Sequence, residues 1–172
     1  HRLSWSSMPR DQVHSQFDNL LLAPILANAK KNQAFTREFS KYLAQRLRDL
    51  LEQDLAENRV IILNAALLLP RAARLKTDEI GDFLVELIKS KDLHDSVKLF
   101  ALQGLRELFP IRVITDQDNL LDDNLLKKKQ KDLDRVEALH QFIIRKWSGL
   151  DSDAVRLFLR KEAIASLAQA QA

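Results

Sequence analysis

Hydrophobic residues recur every three or four positions along most of this chain, which is the spacing of one face of an α-helix. The first such pattern starts at Asp11 and contains Val13, Phe17, Leu20, Leu21 and Ile25. Pro24 is expected to kink or end this helix, because proline lacks a backbone donor and clashes with the preceding turn. A longer pattern then predicts an amphipathic helix whose apolar face is formed by Phe35, Phe39, Tyr42, Leu43, Leu47, Leu50, Leu51 and Leu55.

The next segment, VIILNAALLL at residues 60–69, is apolar on nearly every side of a helix. A helix of this kind has to be covered from several directions, and Pro70 is its predicted end. Thr77, followed by two acidic residues, predicts a new helix start, since a hydroxyl can cap the first turn and acids favour its positive end. The buried stripe of that helix is predicted to be Ile80, Phe83, Leu84, Leu87 and Ile88.

The stretch DSVKLFALQGLRELF, residues 95–109, predicts a further helix that stops at Pro110. Residues 110–130 break the periodicity and are predicted to be an inserted loop, with one short helix near residues 122–129. Helical spacing returns at Leu133, Val136, Leu139, Ile143, Ile144 and Trp147, and a C-terminal cap is predicted at residues 148–149. The last predicted helix follows residues 151–153 and carries Val155, Phe158, Leu159, Ala163 and Leu167.

One spacing occurs in three of the predicted helices: a branched apolar residue, alanine four positions later, and leucine four after that. The copies are Ile61, Ala65 and Leu69; Val97, Ala101 and Leu105; and Leu159, Ala163 and Leu167. Residues four apart share a helical face, and the small alanine lets a neighbouring backbone come close. Each copy follows another amphipathic helix, so the predicted unit is helix, turn, helix. The first two copies begin 36 residues apart, within the period of two-helix repeats.

These units resemble the HEAT-repeat family, whose second helix often has Asp, then Val-Arg, then Ala and Leu. DSVKLFALQGL and DAVRLFLRKEAIASL fit this pattern, whereas Ile62 replaces the basic residue in the first copy. The resemblance covers about residues 35–168. It implies an all-α fold, a short α-solenoid of about three antiparallel helix pairs capped by the N-terminal helix. A closed helical bundle is the alternative, because it also produces such spacing.

The predicted organisation is a lead-in at residues 1–9 and a single α-helical domain at residues 10–172. Its repeat pairs span about 35–70, 77–109 and 131–169, with the inserted loop between the last two. Composition agrees with this prediction, since only 3 glycines and 4 prolines occur in 172 residues. Those two residue types are the usual breakers of helices.

Candidate chemistry is sparse. None of His1, His14, His94 and His140 lies three or four residues from another, so no helix presents a pair of histidine metal ligands. There is no cysteine for a disulfide or a thiolate site.

An acidic stretch, residues 116–124, fails as a calcium loop. Leu121 stands where that loop needs glycine, and Lys127 stands where it needs glutamate. We therefore predict no catalytic residue, no cofactor and no metal, and a protein that is not an enzyme.

The HEAT resemblance implies that partners bind along the inner surface formed by the second helices of the pairs. The candidate partner-binding residues are the basic ones predicted on those helices: Arg59, Lys98, Arg106, Arg156 and Arg160. Their charge predicts a protein or peptide partner with an acidic segment. The predicted function is a non-catalytic interaction or scaffold module that forms part of a larger protein or complex.

The alternative is a HEAT-like protein that binds nucleic acid or repairs DNA. Binding to nucleic acid would require basic residues that are concentrated in one groove. The net charge of +3 comes from 27 basic and 24 acidic residues that are evenly interspersed, which argues against it. The basic run at residues 127–131 is flanked by aspartates on both sides.

The apolar segments of the sequence bear on whether the chain crosses a membrane. Residues 60–69 are about half the length that crosses a bilayer, so no membrane span is predicted. The compartment stays open between the cytoplasm and export with an upstream signal, and the oligomeric state is open too.

Overall fold

The computed structural model describes residues 9–29, 31–53, 55–109, 123–145 and 153–171. All regular structure in these ranges is helical and none of it is a β-strand, so the predicted all-α fold is confirmed. None of the described helices has both the length and the apolar content needed to cross a membrane. The lead-in up to residue 8, most of the predicted loop, Trp147 and the predicted cap at residues 148–149 lie outside the described residues.

The helices are α1 (Arg10–Gln16), a π-helical segment (Phe17–Leu22), α2 (Ala23–Asn28), α3 (Gln33–Leu51), α4 (Leu55–Leu67), α5 (Leu69–Ala72), a 3₁₀ turn (Ala73–Leu75), α6 (Asp78–Lys89), α7 (Asp95–Leu108), α8 (Asp123–Ile144) and α9 (Asp153–Gln171).

Pro24 was expected either to kink or to end the first helical segment. The helical segment does not end there. The π-helical segment lies directly before it, and the backbone N–H of Ala23 donates to the carbonyl of Asp18, five residues back. Pro24 then occupies the first turn of α2. Proline costs little there, because the first-turn N–H groups lack partners within a helix in any case. The chain therefore remains helical before Pro24 by changing from α-helical to π-helical hydrogen bonding.

The buried face of α3 is the predicted one in part, since Leu43, Leu47 and Leu51 are buried as predicted. Its buried residues are Thr36, Ser40, Leu43, Ala44, Leu47 and Leu51. Phe35 and Tyr42, which were predicted to face the core, are exposed. The hydroxyls of Thr36 and Ser40 donate to the carbonyls four residues earlier, at 3.1 and 2.8 Å, so both can be buried with their hydrogen bonds made.

Two predicted helix boundaries are close to the observed ones. Helix α4 ends at Leu67, and Pro70 lies in the first turn of α5 instead of terminating the helical region. Thr77 is the N-terminal cap residue of α6, but its hydroxyl makes no hydrogen bond with the first turn.

Helix α8 begins at Asp123, inside the region predicted as an inserted loop. The short helix predicted at residues 122–129 is thus the start of a longer one. The sequence pattern did not join the two, because the beginning of α8 has many charged residues and few apolar ones.

The helices that open the three predicted pairs, α3, α6 and α8, lie side by side in chain order. Arg37 near the start of α3 pairs with Glu79 near the start of α6. Further along both helices, Arg48 pairs with Glu86. Since residues of increasing number meet along the two helices, α3 and α6 run in the same direction.

The helices that close the pairs, α4, α7 and α9, are likewise neighbours in chain order. Leu99 of α7 and Phe158 of α9 line one depression between these helices, and Phe109 and Gln169 line another.

Helix α7 occupies the centre of the core, in contact with α4, α5, α6 and α9. The repeated spacing accounts for this burial: Val97, Ala101 and Leu105 have no exposed surface. In the other two copies Ala65, Leu69, Leu159 and Ala163 are buried, and Ile61 and Leu167 are partly so. The three-residue ladder thus marks the core-facing side of each closing helix.

Gly104 lets α7 approach its neighbours closely. A methyl group added there would stand 2.9 Å from a side-chain carbon of Leu84 and 3.3 Å from the backbone carbonyl of Leu69. Overpacking costs about 1–3 kcal/mol, and alanine recovers about 1 kcal/mol of helix propensity. We expect Gly104→Ala to lower the free energy of unfolding by about 1 kcal/mol in urea titrations.

The control for this change is Gln103→Ala, on the adjacent and more accessible position. It should alter stability by less than about 0.5 kcal/mol. A more stable Gly104→Ala protein would show that α7 does not pack this closely on α5 and α6.

A buried arginine joins α6 to α8. The Arg135 guanidinium lies 2.7 Å from Asp78 and 2.9 Å from Asp132, and its side chain is 7 % exposed. It rests on the backbone of α6 at Gly81, where a methyl group would come within 2.6 Å of it. Lys131 pairs with Asp82 beside this cluster. The acidic side chains of α6 are therefore neutralised from both flanks, by α3 and by α8.

Candidate functional site

The five basic residues predicted to bind a partner lie in different environments. Arg59 is exposed on α4. Lys98 is only 4 % exposed, and its ammonium group lies 3.6 Å from the carboxylate of Asp95 on the same helix. A side chain so deeply buried offers a partner almost no surface.

The remaining three residues do not form one patch. Arg106 on α7 lies 3.8 Å from Glu162 of α9. Arg160 donates to the backbone carbonyl of Arg145 at the end of α8, at 3.1 Å. Arg160 and Glu162 are about 200° apart around α9. Arg106 therefore contacts α9 on the side opposite to the one that carries Arg160. Arg156, one turn before Arg160, is partly buried on the α8 side.

The structure instead reveals an apolar depression between the starts of α7 and α9. This α7–α9 groove has a volume of about 390 Å³ and is lined by His94, Asp95, Ser96, Leu99, Ala154, Val155, Phe158 and Leu159. Phe158 is 52 % exposed and Val155 is 40 % exposed. Burying an exposed aromatic side chain contributes more to binding than most other contacts.

A polar hollow continues the groove along the same two helices. It is lined by Pro70, Lys76, Gln103, Arg106, Glu107, Phe109, Glu162 and Gln169. Leu99 of the groove and Gln103 of the hollow are one turn apart on α7, and Phe158 and Glu162 are one turn apart on α9. The groove and the hollow therefore form one continuous seam, apolar at one end and charged at the other.

The most suggestive nucleophile–base contact in the described chain is between His94 and Ser96. The Ser96 hydroxyl lies 2.7 Å from Nδ1 of His94, and the same nitrogen accepts the backbone N–H of Ser96 at 3.2 Å. This geometry caps the N-terminus of α7. His94 is exposed and Ser96 is only partly buried, so the contact lies outside the low-dielectric setting in which such pairs are activated.

Among the described residues, neither metal-ligating clusters nor shifted pKa values point to a second site. Within the described ranges, no group of three or more metal-binding side chains occurs. The pKa of Glu38 is lowered, first by the hydrogen bond from Lys41 and then by its charge. The pKa of Arg37 is raised, chiefly by its hydrogen bond with Glu79. These groups belong to exposed ion pairs of α3 and lie away from the seam.

Sequence reasoning did not identify the apolar end of the seam, because Val155 and Phe158 were predicted to be core residues. One signal was present in the sequence. Helix α9 carries apolar residues on more sides than one buried stripe needs, including Leu157 and Ile164, which are also exposed. Such an excess indicates a surface that something else covers.

No family model matches this chain, and comparisons with curated proteins and with solved structures found no match either. The HEAT resemblance therefore rests on the residue pattern alone, and the functional argument rests on the geometry of the seam.

Proposed function

We propose that this chain is a HEAT-like α-solenoid that acts as a non-catalytic protein-interaction module. Its partner is a protein segment lying along the seam between α7 and α9. Apolar side chains of the segment fill the groove, and acidic side chains reach Arg106 and Lys76 at the hollow. The single observation that carries this proposal is the exposed Phe158 in a groove with an almost wholly apolar lining.

The order of the helices supports a stack over a closed bundle. Helices α3, α6 and α8 form one row and α4, α7 and α9 form another, each in chain order. The most extensive contacts of α8 and α9 are with each other and with the preceding pair. Rows of equivalent helices from successive pairs are the arrangement that solenoid repeats require.

The seam supports protein binding because its two ends match an amphipathic segment. Helix α7 has 14 residues, so it is about 21 Å long and accommodates several turns of a bound helix. Apolar anchors in a groove flanked by charged residues are the usual way in which an amphipathic helix is recognised. Of the predicted basic residues, Arg106 alone lines the seam.

The nucleic-acid alternative loses four basic side chains to ion pairs within the molecule. Binding along a phosphate backbone needs basic side chains that are free to neutralise it. Arg37, Arg48, Lys131 and Arg135 instead neutralise acidic residues of α6. We therefore retain this alternative only as an arm of the test.

The decisive experiment selects helical peptides from a displayed library on the full chain. We expect Phe158→Glu to weaken binding of the selected peptides at least tenfold, because a carboxylate in the groove would be desolvated without a partner. Arg106→Glu should weaken the binding of those selected peptides that carry acidic residues at one end. Fluorescence polarisation with labelled peptides measures both effects.

Ile164→Glu is the matched control, since Ile164 is 53 % exposed on the same helix. It lies about 120° around α9 from Phe158 and outside the groove, so it should leave peptide binding unchanged. Equal affinity of wild type and Phe158→Glu for the peptides would refute the proposal. The same assay should also be run with labelled duplex DNA. Tight binding of the DNA whose affinity falls steeply with added salt would favour the nucleic-acid alternative.

A further inference from the structure

A small pocket lies where the end of α6 meets the end of α8, and we call it the α6–α8 pocket. Its volume is about 290 Å³. This size is at the lower end of the range for ligand sites, so the pocket accommodates one side chain or one small molecule. Its lining consists of three apolar residues, one amide and three basic residues: Ile88, Ala138 and Phe142, then Gln141, and then Lys89, Lys91 and Arg145.

The floor of the α6–α8 pocket is apolar. Ile88, Ala138 and Phe142 belong to the core and are at most 3 % exposed, so they present only a small apolar surface at the bottom of the pocket. A ligand group that covers this surface removes its own apolar area from water as well.

The charges around the rim of the pocket all have the same sign. Lys89 and Lys91 are exposed, Arg145 is partly buried, and none of the described residues that line the pocket is acidic. Within the described ranges neither lysine forms an ion pair. A cleft lined by charges of one sign, with walls of low dielectric constant, concentrates its electric field and attracts counter-ions. The pocket therefore favours an anion.

The acidic residues around the pocket have other environments. Glu137, one turn before Gln141 on α8, accepts a hydrogen bond from the amide of Gln141 at 2.6 Å and does not line the pocket. Asp92 directly follows Lys91, but it lines a different depression at the end of α3. The acidic side chains of α6 itself form ion pairs with α3 or α8: Asp78, Glu79, Asp82 and Glu86. The two lysines after them are therefore available to an external anion.

The rim and the floor together indicate the chemistry of the ligand. Lysine and arginine side chains are the usual partners of phosphate groups, lysine as a point charge and arginine through its planar fork. A phosphomonoester carries nearly two negative charges at neutral pH and offers three acceptor oxygens, which suits three cations better than a single carboxylate does. An aromatic or aliphatic stem on the phosphate would cover the apolar floor.

We propose that the α6–α8 pocket binds a phosphomonoester carried on an apolar stem. A free aryl phosphate and a phosphorylated tyrosine side chain present the same chemistry, and the test below distinguishes these two sources. The site goes beyond the proposed function and does not depend on it, because none of its lining residues lines the seam.

The test is a nuclear magnetic resonance titration of the full chain with phenyl phosphate, followed through the backbone amide signals of residues 88–91 and 138–145. We expect saturable shifts in both segments. Inorganic phosphate, which lacks the stem, and phenol, which lacks the charge, should each bind at least about tenfold more weakly. A peptide with one phosphotyrosine distinguishes the sources. Binding tighter than that of phenyl phosphate indicates a protein-borne group, and weaker binding indicates a free small molecule.

The site variant is Lys89→Glu with Lys91→Glu, which reverses two of the three charges at the rim. It should weaken binding of phenyl phosphate at least about tenfold. Both positions are exposed, and an unchanged melting temperature would confirm that the variant folds. The matched control is Lys31→Glu with Lys161→Glu, the same charge change at two exposed lysines outside the pocket. It should leave the affinity within about twofold, since distant exposed charges are screened by salt.

Three results would overturn the proposal. Equal affinity for phenyl phosphate and inorganic phosphate would show that exposed lysines attract any anion. Equal losses in the site variant and the control variant would show an effect of net charge alone. Duplex DNA that shifts the same amide signals and binds more tightly than phenyl phosphate would assign the lysines to a nucleic-acid surface. Phe158→Glu should leave phenyl phosphate binding unchanged, so failure of the groove proposal is distinguishable from failure of this one.

Discussion

Leu105→Ala should lower the free energy of unfolding by about 3–4 kcal/mol. Leu105 has no exposed surface and lies on α7, the helix that contacts both helical rows. Truncation removes buried apolar surface and leaves a cavity, and neighbours from several helices cannot all move in to fill it. For a chain of this length the melting temperature should fall by roughly 10 °C. Urea unfolding followed by circular dichroism measures the change.

Leu157→Ala is the matched control, because it deletes the same atoms from a side chain that is 69 % exposed. It should change stability by less than about 0.5 kcal/mol at a protein concentration at which the chain is monomeric. Equal effects of the two substitutions would mean that α7 is not at the centre of the core.

Arg135→Ala should lower the free energy of unfolding by about 2–3 kcal/mol. The guanidinium is buried and holds Asp78 and Asp132 together at the contact of α6 with α8. Asp78 is half exposed, so water recovers part of the loss, and the value lies below that for a fully buried pair. Arg46→Ala, which removes an arginine that is 65 % exposed, should cost less than about 0.5 kcal/mol.

A double substitution shows whether Arg135 rests on α6 as described. Gly81→Ala alone should destabilise the protein, since the added methyl group would stand 2.6 Å from the guanidinium and displace it. In the Arg135→Ala background the same change should be stabilising by about 1 kcal/mol, because only helix propensity is left. Additive effects of the two substitutions would contradict the close contact.

Sequence reasoning predicted the fold class and the core of the closing helices from one feature, the ladder of branched residue, alanine and leucine. It worked for Val97, Ala101 and Leu105 because a single apolar stripe fixes which side of a helix is buried. It worked only in part for α3, where Leu43, Leu47 and Leu51 are buried as predicted but Phe35 and Tyr42 are exposed. The aromatic residues at 35 and 42 have more apolar surface than Thr36 and Ser40. The hydroxyls of Thr36 and Ser40 nevertheless form hydrogen bonds within the helix, and both residues are buried.

The candidate site was less predictable than the core. Basic residues were proposed by charge and position, but Lys98 is buried beside Asp95, and Arg160 contacts a backbone carbonyl of α8. The position of a charged residue in the sequence does not reveal whether its side chain pairs with another part of the same chain. The groove depends on the distance between Leu99 and Phe158, which lie on separate helices far apart in the sequence, so no local pattern encodes it.

The sequence by itself determined that the chain is all-helical, roughly where most helices lie, and which side of the closing helices is buried, because helix propensity and apolar periodicity are local properties. Tertiary structure alone decided which charges neutralise each other, which aromatic side chains of α3 and α9 stay exposed, and where the seam lies. Those outcomes depend on how α3, α6 and α8 pack against α4, α7 and α9. A contact between helices becomes visible only when residues far apart in sequence are brought together.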